Sequence, residues 1–250
     1  MLKLILSGCN GHMGRVVTAI VANDPAISIV AGIDIDTRKL DDYPIYASPG
    51  EFTGSADVIL DFSNPSALDN LLKYSTTRKI PLILCATGYT SDQIAAIEKT
   101  SEQIPVFRSG NMSVGINLLA DLIKRACAVL GEDFDVEIVE RHHRRKVDAP
   151  SGTALMLADA ASSTLPYNPK YIFERESKRS PRDAREIGIS AVRGGTIVGV
   201  HDVIFAGQDE VIELRHTAAS RDVFAVGALR AVKFIVKAPP GMYNMRDVLT

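Results

Sequence analysis

Short apolar runs alternate with segments of helical periodicity in the first part of the chain. Five runs predict buried strands: Leu2 to Ser7, Ile27 to Ile33, Val58 to Phe62, Pro81 to Ala86 and a run that begins at Val106. Between these runs, apolar residues recur at the three- and four-residue spacing of amphipathic helices. Strands that alternate with helices predict βαβ units, and therefore an α/β fold with a doubly wound parallel sheet.

The pattern changes near Asn111. Apolar residues in register predict one longer helix over 114–130, and a short strand over 136–139 follows it. Three later strands follow one another with no helix between them, so the second sheet is expected to be partly antiparallel. The other predicted elements are a helix over 154–161, a loop over 162–186, strands over 187–193, 197–206 and 211–217, and a last helix over 223–236.

This change predicts two domains. The first spans 1–112, and 222–250 is expected to return to it. The second spans 113–221 and is an α+β domain with a mixed sheet. A chain of 250 residues is long enough for two modest cores.

The composition narrows the class of protein. The net charge of -2 argues against bulk binding of nucleic acid. No apolar run approaches the roughly 18 residues of a membrane span. Cys9, Cys85 and Cys127 lie far apart and match neither a disulfide framework nor a metal site, which favours a reducing, cytoplasmic location. We therefore expect no nucleic-acid partner, no membrane partner and no bound metal.

A glycine-rich loop joins the first predicted strand to the first helix. Gly8, Gly11 and Gly14 form a variant of the dinucleotide fingerprint, and Asp34 ends the second strand, where a carboxylate binds ribose hydroxyls. A loop that only packs helix against sheet is the structural alternative, but the strand, helix and carboxylate together favour NADH or NADPH. Asp34 repels a 2′-phosphate, and the nearby Arg38-Lys39 pair could offset that repulsion, so the cofactor preference stays open.

The densest charge lies in a basic segment that runs from Glu140 through His142, His143 and Lys146 to Ser151. Crowded like charges are stable mainly where they face water or an anion. Ser151 is a predicted helix cap, and helix N-termini bind anions. A solvated basic face is the plainer interpretation. The helix start beside the cluster favours a pocket for a small, multiply anionic ligand, in which the imidazoles and the ammonium can also move protons.

These motifs are similar to those of one family. Over nearly its whole length, the chain resembles bacterial 4-hydroxy-tetrahydrodipicolinate reductase, also called dihydrodipicolinate reductase, of the lysine and diaminopimelate pathway. The segment Glu140-x-His142-His143-x-x-Lys146-x-Asp148-Ala149-Pro150-Ser151-Gly152-Thr153-Ala154 is highly specific to that family. The stretches His12-Met13-Gly14, Asn111 to Gly115 and Ser220-Arg221 are supporting matches. Cys85-Ala86 departs from the common pattern, which has Gly and Thr there.

The resemblance implies a Rossmann first domain, completed by the C-terminal helix, and a second domain that binds substrate and builds a homotetramer through its sheet. It implies NAD(P)H-dependent reduction of 4-hydroxy-tetrahydrodipicolinate, a small dicarboxylate. His142 matches a proton donor or acceptor, and Lys146 matches the proton donor. The implied substrate contacts are His143, Gly152 and Thr153, to which the helix cap adds Ser151. The implied cofactor contacts are Gly8, Cys9, Asn10, Gly11, His12, Met13, Asp34, Cys85, Ala86, Thr87, Ser109, Gly110, Asn111 and Met112.

Hydride addition to a cyclic imine-type dicarboxylate needs a proton for the developing negative charge, and a lysine whose pKa is lowered by neighbouring cations can supply it. Two alternatives remain open. One is another NAD(P)-dependent dehydrogenase that acts on a small anionic substrate. The other is a non-enzymatic redox sensor that binds NADH. Only the predicted reductase consumes NADH in a manner that depends on the dicarboxylate.

Overall fold

Two compact units make up the chain in the computed structural model, which describes residues 1–249. The first unit contains Met1–Val114 and the chain from Asp222 onward, and the second contains Gly115–Arg221. Each unit has its own buried apolar core. No described helix is both long enough and apolar enough to cross a membrane.

A seven-stranded parallel sheet forms the centre of the first unit. Its strands are β1 (Leu2–Ser7), β2 (Ile27–Ile33), β3 (Ile45–Tyr46), β4 (Val58–Asp61), β5 (Leu82–Leu84), β6 (Pro105–Arg108) and β12 (Gly241–Tyr243). Its helices are α1 (His12–Val21), α2 (Leu68–Arg78), α3 (Ser91–Ser101), α6 (Asp222–Ile235) and α7 (Met245–Leu249). The spatial order is β12-β6-β5-β4-β1-β2-β3. The order of the strands reverses at β1, between β2 and β4, and ligands of such sheets bind beyond the carboxyl ends at this point.

A five-stranded mixed sheet forms the second unit. Its strands are β7 (Asp135–His142), β8 (Lys170–Ile172), β9 (Glu186–Arg193), β10 (Gly199–Ala206) and β11 (Val211–Ala218), and its helices are α4 (Val114–Leu130) and α5 (Gly152–Ser162). The order is β11-β10-β7-β9-β8, with β7 parallel to β9 and antiparallel to β10. Buried and half-buried residues alternate along β7, so every second side chain faces the core. The predicted fold class, with its parallel and mixed sheets, is confirmed.

The predicted elements and the structure differ where an element is very short. The strand predicted over 81–86 is reduced to β5, and the predicted loop over 162–186 contains β8. Strands β3 and β12 and helix α7 escaped prediction because runs of two to five residues carry no measurable periodicity. The connection from β9 to β10 passes the end of β7 instead of forming a hairpin, because β7 lies between these two strands.

Candidate active site

The glycine loop of the first unit has no room for side chains at two of its three glycines. Gly8 has a φ of +74°, and a Cβ there would lie 2.7 Å from the carbonyl carbon of Phe62. A Cβ at Gly14 would lie 2.5 Å from the carbonyl oxygen of Cys9. Backbone atoms cause both clashes, so the close turn between β1 and α1 requires glycine at these positions.

A hydrogen bond to Asp34 connects this loop to the end of β2. One carboxylate oxygen accepts the Asn10 N–H at 2.9 Å, and the other accepts the Asp36 N–H at 3.0 Å. The Asn10 side chain donates to the carbonyl oxygens of Asp36 and Arg38, while its own Oδ1 is buried without a partner among the described residues. Arg38 itself forms an ion pair with Asp36 at 2.6 Å.

A cavity of about 640 Å³ opens beside the loop, entirely within the first unit. The predicted cofactor residues that line it are Gly8, Asn10, Gly11 and Asp34. Further lining comes from Ser7 at the end of β1 and from the segment Phe62–Asn64 after β4. The volume lies within the range of about 300–1,000 Å³ that is usual for small-molecule and cofactor sites.

The other predicted cofactor residues do not line this cavity. Cys9 is fully buried in the core, His12 is exposed on the first turn of α1, and Met13 packs partly against the core. Cys85, Ala86 and Thr87 follow β5, and Ser109, Gly110, Asn111 and Met112 follow β6. These two segments therefore lie at the same carboxyl edge of the sheet, on the strands beyond β4.

Asp61 is a buried carboxyl group at this edge that escaped prediction. Burial raises its pKa, and hydrogen bonds from Ser63 oppose that shift. Ser63 lines the cavity, so Asp61 holds one wall of it in place. Its position at the end of β4, inside the predicted run Val58 to Phe62, was the available signal.

A buried carboxylate, that of Glu140, organises the second unit's site. It accepts hydrogen bonds from His142 Nδ1 at 2.6 Å, from the Ser151 backbone N–H at 3.0 Å and from two nitrogens of Arg193 at 2.6 and 2.7 Å. His201 is the fifth member of the group. Its ring packs edge-on against the His142 ring, with 5.2 Å between the ring centroids, and its Nε2 lies 3.0 Å from Ser151 Oγ. These five residues are called the Glu140 cluster below.

Burial and charge act against each other in the Glu140 cluster. Burial alone would raise the pKa of Glu140, but the hydrogen bonds from Arg193 and His142 outweigh it and hold that pKa below its ordinary value. Burial lowers the pKa of His142, and the bond to Glu140 opposes this. Burial, followed by the neighbouring His142, lowers the pKa of His201 to about 4. Both imidazoles are therefore neutral at physiological pH.

Lys146 lies in the loop between β7 and α5. Its Nζ donates to Asp148 at 2.8 Å, and this bond lowers the pKa of the Asp148 carboxyl. The sequence predicts cations around Lys146, whereas the hydrogen-bonded partner of its ammonium group is a carboxylate. Arg193 donates to the Asp148 carbonyl oxygen at 2.7 Å, so this loop is tied to the Glu140 cluster.

Ser151 caps helix α5 as predicted, and the helix begins at Gly152, two residues before the predicted start. The Ser151 hydroxyl accepts the Ala154 N–H at 3.1 Å. A Cβ added at Gly152 would meet no atom within 4 Å, so open space adjoins the helix start. Thr153 follows in the first turn. His143 contacts Arg221 through its Nε2 at 3.3 Å.

The structure thus joins His142 and Ser151 through Glu140, and Arg193 ties the Lys146 loop to the same carboxylate. Neither Arg193 nor His201 was among the predicted site residues. Both reach the site through strand pairing, since His142 lies opposite Arg193 and Glu140 lies opposite His201. Among the described residues, no group of three or more His, Cys, Asp or Glu side chains is placed to hold a metal ion.

Comparison with known proteins agrees with these motifs. Residues 2–112 match the family model for the N-terminus of dihydrodipicolinate reductase, and residues 115–249 match the model for its C-terminus. A relative from Caldanaerobacter subterraneus subsp. tengcongensis, named 4-hydroxy-tetrahydrodipicolinate reductase, is 50% identical over 249 residues and is covered over 98% of its length. A relative of the same name from Clostridium tetani is also 50% identical and is covered over 97%.

A solved structure shares the fold. The dipicolinate-bound dihydrodipicolinate reductase from Paenisporosarcina sp. TG-14 superposes with a TM-score of 0.85 at 22% identity, and the match covers 100% of both chains. The two family models together span nearly every residue, and the relatives are 50% identical over the full length. Both comparisons indicate the same family. The resemblance stated from the sequence is confirmed, and the chain belongs to the dihydrodipicolinate reductase family.

Proposed function

We propose that this chain reduces 4-hydroxy-tetrahydrodipicolinate to tetrahydrodipicolinate with NADH or NADPH, in the cytoplasmic synthesis of lysine and diaminopimelate. The names of the relatives support the reductase class that the sequence predicted. The observation that carries the proposal is the Glu140 cluster, in which a buried imidazole and the start of an anion-binding helix share one carboxylate. The reaction replaces a hydroxyl group by hydrogen, so it takes up one hydride and one proton and releases water.

The first unit would hold the cofactor. Its glycine loop allows close approach of a pyrophosphate, and Asp34 lies at the cavity wall where ribose hydroxyls are bound. The buried, unpartnered Oδ1 of Asn10 is an acceptor suited to a ligand hydroxyl. When bound, NADH or NADPH supplies the hydride. We assign Cys85 to Thr87 and Ser109 to Met112 to the nicotinamide side, because they follow the next strands along the same edge.

The second unit would hold the dicarboxylate. The first turn of α5 offers backbone N–H groups and the positive end of a helix dipole to a carboxylate. Gly152 faces open space there, so a ligand can approach the backbone closely. His143, with the neighbouring Arg221, would bind the second carboxylate through charge-assisted hydrogen bonds.

Two side chains would handle the proton. Lys146 is the proton donor in this proposal, since its ammonium group is partly exposed, with 21% of the side chain accessible, and is held by Asp148. His142 presents its Nε2, while its Nδ1 faces Glu140. The two residues stand four positions apart, and Arg193 joins the strand that carries His142 to the loop that carries Lys146.

The decisive experiment mixes the purified protein with NADH and follows NADH absorbance with and without 4-hydroxy-tetrahydrodipicolinate. We expect oxidation of NADH only when the substrate is present. Oxidation of NADH with a keto acid or a different imine, but not with this substrate, would favour another dehydrogenase. Tight NADH binding with no turnover on any such substrate would favour the redox sensor.

Asp34 provides a test of the cofactor site. Asp34→Ala removes a negative charge and two hydrogen bonds that shape the loop, so we expect KM for NADH to rise about tenfold or more. KM for NADPH should rise less, because the repulsion of its 2′-phosphate is lost. Steady-state KM values for both cofactors decide this, and an unchanged ratio of the two would remove Asp34 from the ribose site.

We also propose a homotetramer built through the mixed sheet. Val192 and Val211 are 43% and 59% exposed. Val192 pairs with Arg141 and Val211 with Ala206, which places both valines on the face of the sheet opposite His142. Light scattering coupled to size exclusion should give about four chain masses, and a monomer mass at micromolar concentration would contradict this part of the proposal.

A further inference from the structure

We propose that the Glu140–Arg193 ion pair is the positioning element of the site. In this view, it fixes the His142 imidazole relative to Lys146 and to the first turn of α5. The inference rests on the proposed function for the chemistry of His142 and Lys146. The contacts that carry it are those of Glu140 and Arg193, to which that proposal assigns neither ligand binding nor proton transfer.

Hydrogen bonds saturate the Glu140 carboxylate. This side chain is fully buried, and each of its oxygens accepts two hydrogen bonds, one of them from Arg193. An ionised carboxylate only accepts hydrogen bonds, so Nδ1 of His142 must carry the proton and Nε2 is left for the substrate. The carboxylate therefore selects one tautomer and one ring orientation.

The surroundings of Nε2 agree with that orientation. A Cβ placed at Gly199 on β10 would lie 3.2 Å from His142 Nε2, which is tighter than ordinary packing. Glycine at this position leaves the nitrogen uncrowded. The ring is thus fixed on its Nδ1 side by a hydrogen bond and left open on its Nε2 side by a missing side chain.

Arg193 extends the same control to the neighbouring loop. One of its nitrogens bonds both Glu140 and the carbonyl oxygen of Asp148, two residues beyond Lys146. The residue after it, Gly194, donates its N–H to the His142 carbonyl oxygen at 2.9 Å. Arg193 and Gly194 therefore join the end of β7 to the Lys146 loop, and Glu140, which also accepts the Ser151 N–H, connects them to the start of α5.

Stability alone does not account for this pair. The Glu140 carboxylate is fully buried and the Arg193 side chain is 20% exposed, so the pair bears a desolvation cost that its attraction only partly repays, and apolar replacements of such pairs are often neutral. Arg193 also keeps a buried Nε without a partner among the described residues. The pair holds the end of β7, the Lys146 loop and the start of α5 in place. We therefore assign it a role in positioning the site rather than in stabilising the fold.

The charge around His142 makes the idea testable. The titratable groups that act on its ring are Glu140 on β7, Arg193 on β9, His201 on β10 and Lys146 in the loop. Removing the Glu140 carboxylate takes away an anion that favours the imidazolium. Removing the Arg193 guanidinium leaves that anion uncompensated. The two changes should therefore move the pKa of His142 in opposite directions.

The experiment uses the full-length protein with isotope-labelled histidine and follows the five imidazoles by NMR as pH is varied. A spectrum of His142→Gln assigns the signal. We expect Glu140→Gln to lower the pKa of His142 and Arg193→Gln to raise it, each by about one unit or more. The control Arg175→Gln removes a guanidinium that pairs with Glu137 near the other end of β7 and should leave the titration unchanged.

A second variant separates geometry from charge. Arg193→Lys keeps the positive charge but loses the two-pronged contact, so the pKa of His142 should stay near the wild-type value while kcat falls about tenfold or more. Shifts in the same direction, or no shift, in two folded glutamine variants would overturn the proposal. If either glutamine variant fails to fold, an unchanged kcat in Arg193→Lys overturns it instead. The titration needs no turnover, so a wild-type protein that lacks reductase activity would refute the proposed function and leave this test intact.

Discussion

The glycine loop of the first unit is shaped by backbone atoms, whereas the Glu140 cluster of the second unit is shaped by charged side chains. In the loop, the backbone defines the site, and the critical requirement at Gly8 and Gly14 is the absence of a side chain. In the cluster, buried charged side chains define the site, and they depend on one another for hydrogen bonds. The first kind of site should fail when an atom is added, and the second when an atom is removed.

The largest effect is expected at the side-chain site. Lys146→Ala removes the proposed proton donor, so kcat should fall about a hundredfold or more, the usual scale for loss of a general acid. NADH binding should hardly change, because the glycine loop belongs to the other unit. Lys170→Ala, on β8 of the same unit, is the matched control. Stopped-flow turnover and fluorescence titration with NADH measure the two quantities, and normal turnover in Lys146→Ala would remove this residue from the mechanism.

The corresponding change at the backbone site adds one methyl group. Gly14→Ala brings a Cβ against the carbonyl oxygen of Cys9 and other backbone atoms, so the loop must shift at a cost of about 1–3 kcal/mol. We expect weaker NADH binding and a lower melting temperature. Gly50→Ala adds the same group where the nearest atom is 3.9 Å away and should change neither. Calorimetry of both variants checks this, and equal behaviour would mean that the loop tolerates a side chain.

The Glu140 cluster should also give the second unit a characteristic sensitivity to acid. The pKa of His201 is lowered to about 4, first by burial and then by His142. Between about pH 6.5 and pH 4, His201 is protonated in the unfolded chain but neutral in the folded protein. The free energy of unfolding therefore falls as the pH falls through this range. His201→Gln should lose about 2 kcal/mol less stability than wild type between pH 7 and pH 4.5.

Urea unfolding at the two pH values, followed by circular dichroism, measures this difference. His12→Gln removes an exposed imidazole from the other unit and serves as the control. A pH dependence in His201→Gln equal to that of wild type would mean that His201 takes up its proton in the folded protein as readily as in the unfolded chain.

The smallest effect is expected at the start of α5, within the second unit. Gly152 is a glycine in the side-chain site, but unlike Gly14 it faces open space. Gly152→Ala should leave stability unchanged or slightly higher, since alanine favours helices by up to about 1 kcal/mol. KM for the substrate should rise about fivefold, because a methyl group would occupy space needed by a carboxylate, at a cost of about 1 kcal/mol. An unchanged KM would place the substrate elsewhere.

The difference between the two sites also explains what the sequence could predict. Helix α4 was expected over 114–130 and occupies those residues, because its long apolar stripe repeats several times. The cap at Ser151 was recognised from local residue types and is present. The glycine loop was likewise visible, since all its parts lie within a few positions of one another.

Arg193 and His201 could not be found in this way. They lie about fifty residues from Glu140 and Ser151, and only the pairing of β9 and β10 on either side of β7 brings them together. Strand order is a property of the whole sheet, and single-sequence periodicity carries no information about it. The short strands β3 and β12 were missed for a related reason, because their partners rather than their own residues define them.

The central position of β7 has a consequence for synthesis of the chain. A ribosome releases the entire motif from Glu140 to Ala154 well before it reaches β9 and β10, which must pair on either side of β7. Until then Glu140 has no Arg193, and His142 has no fixed orientation. Such non-local pairing forms late, because it must first overcome the entropy of closing long loops. A nascent or truncated chain that ends before residue 193 therefore carries every residue of the family motif and yet has no assembled site.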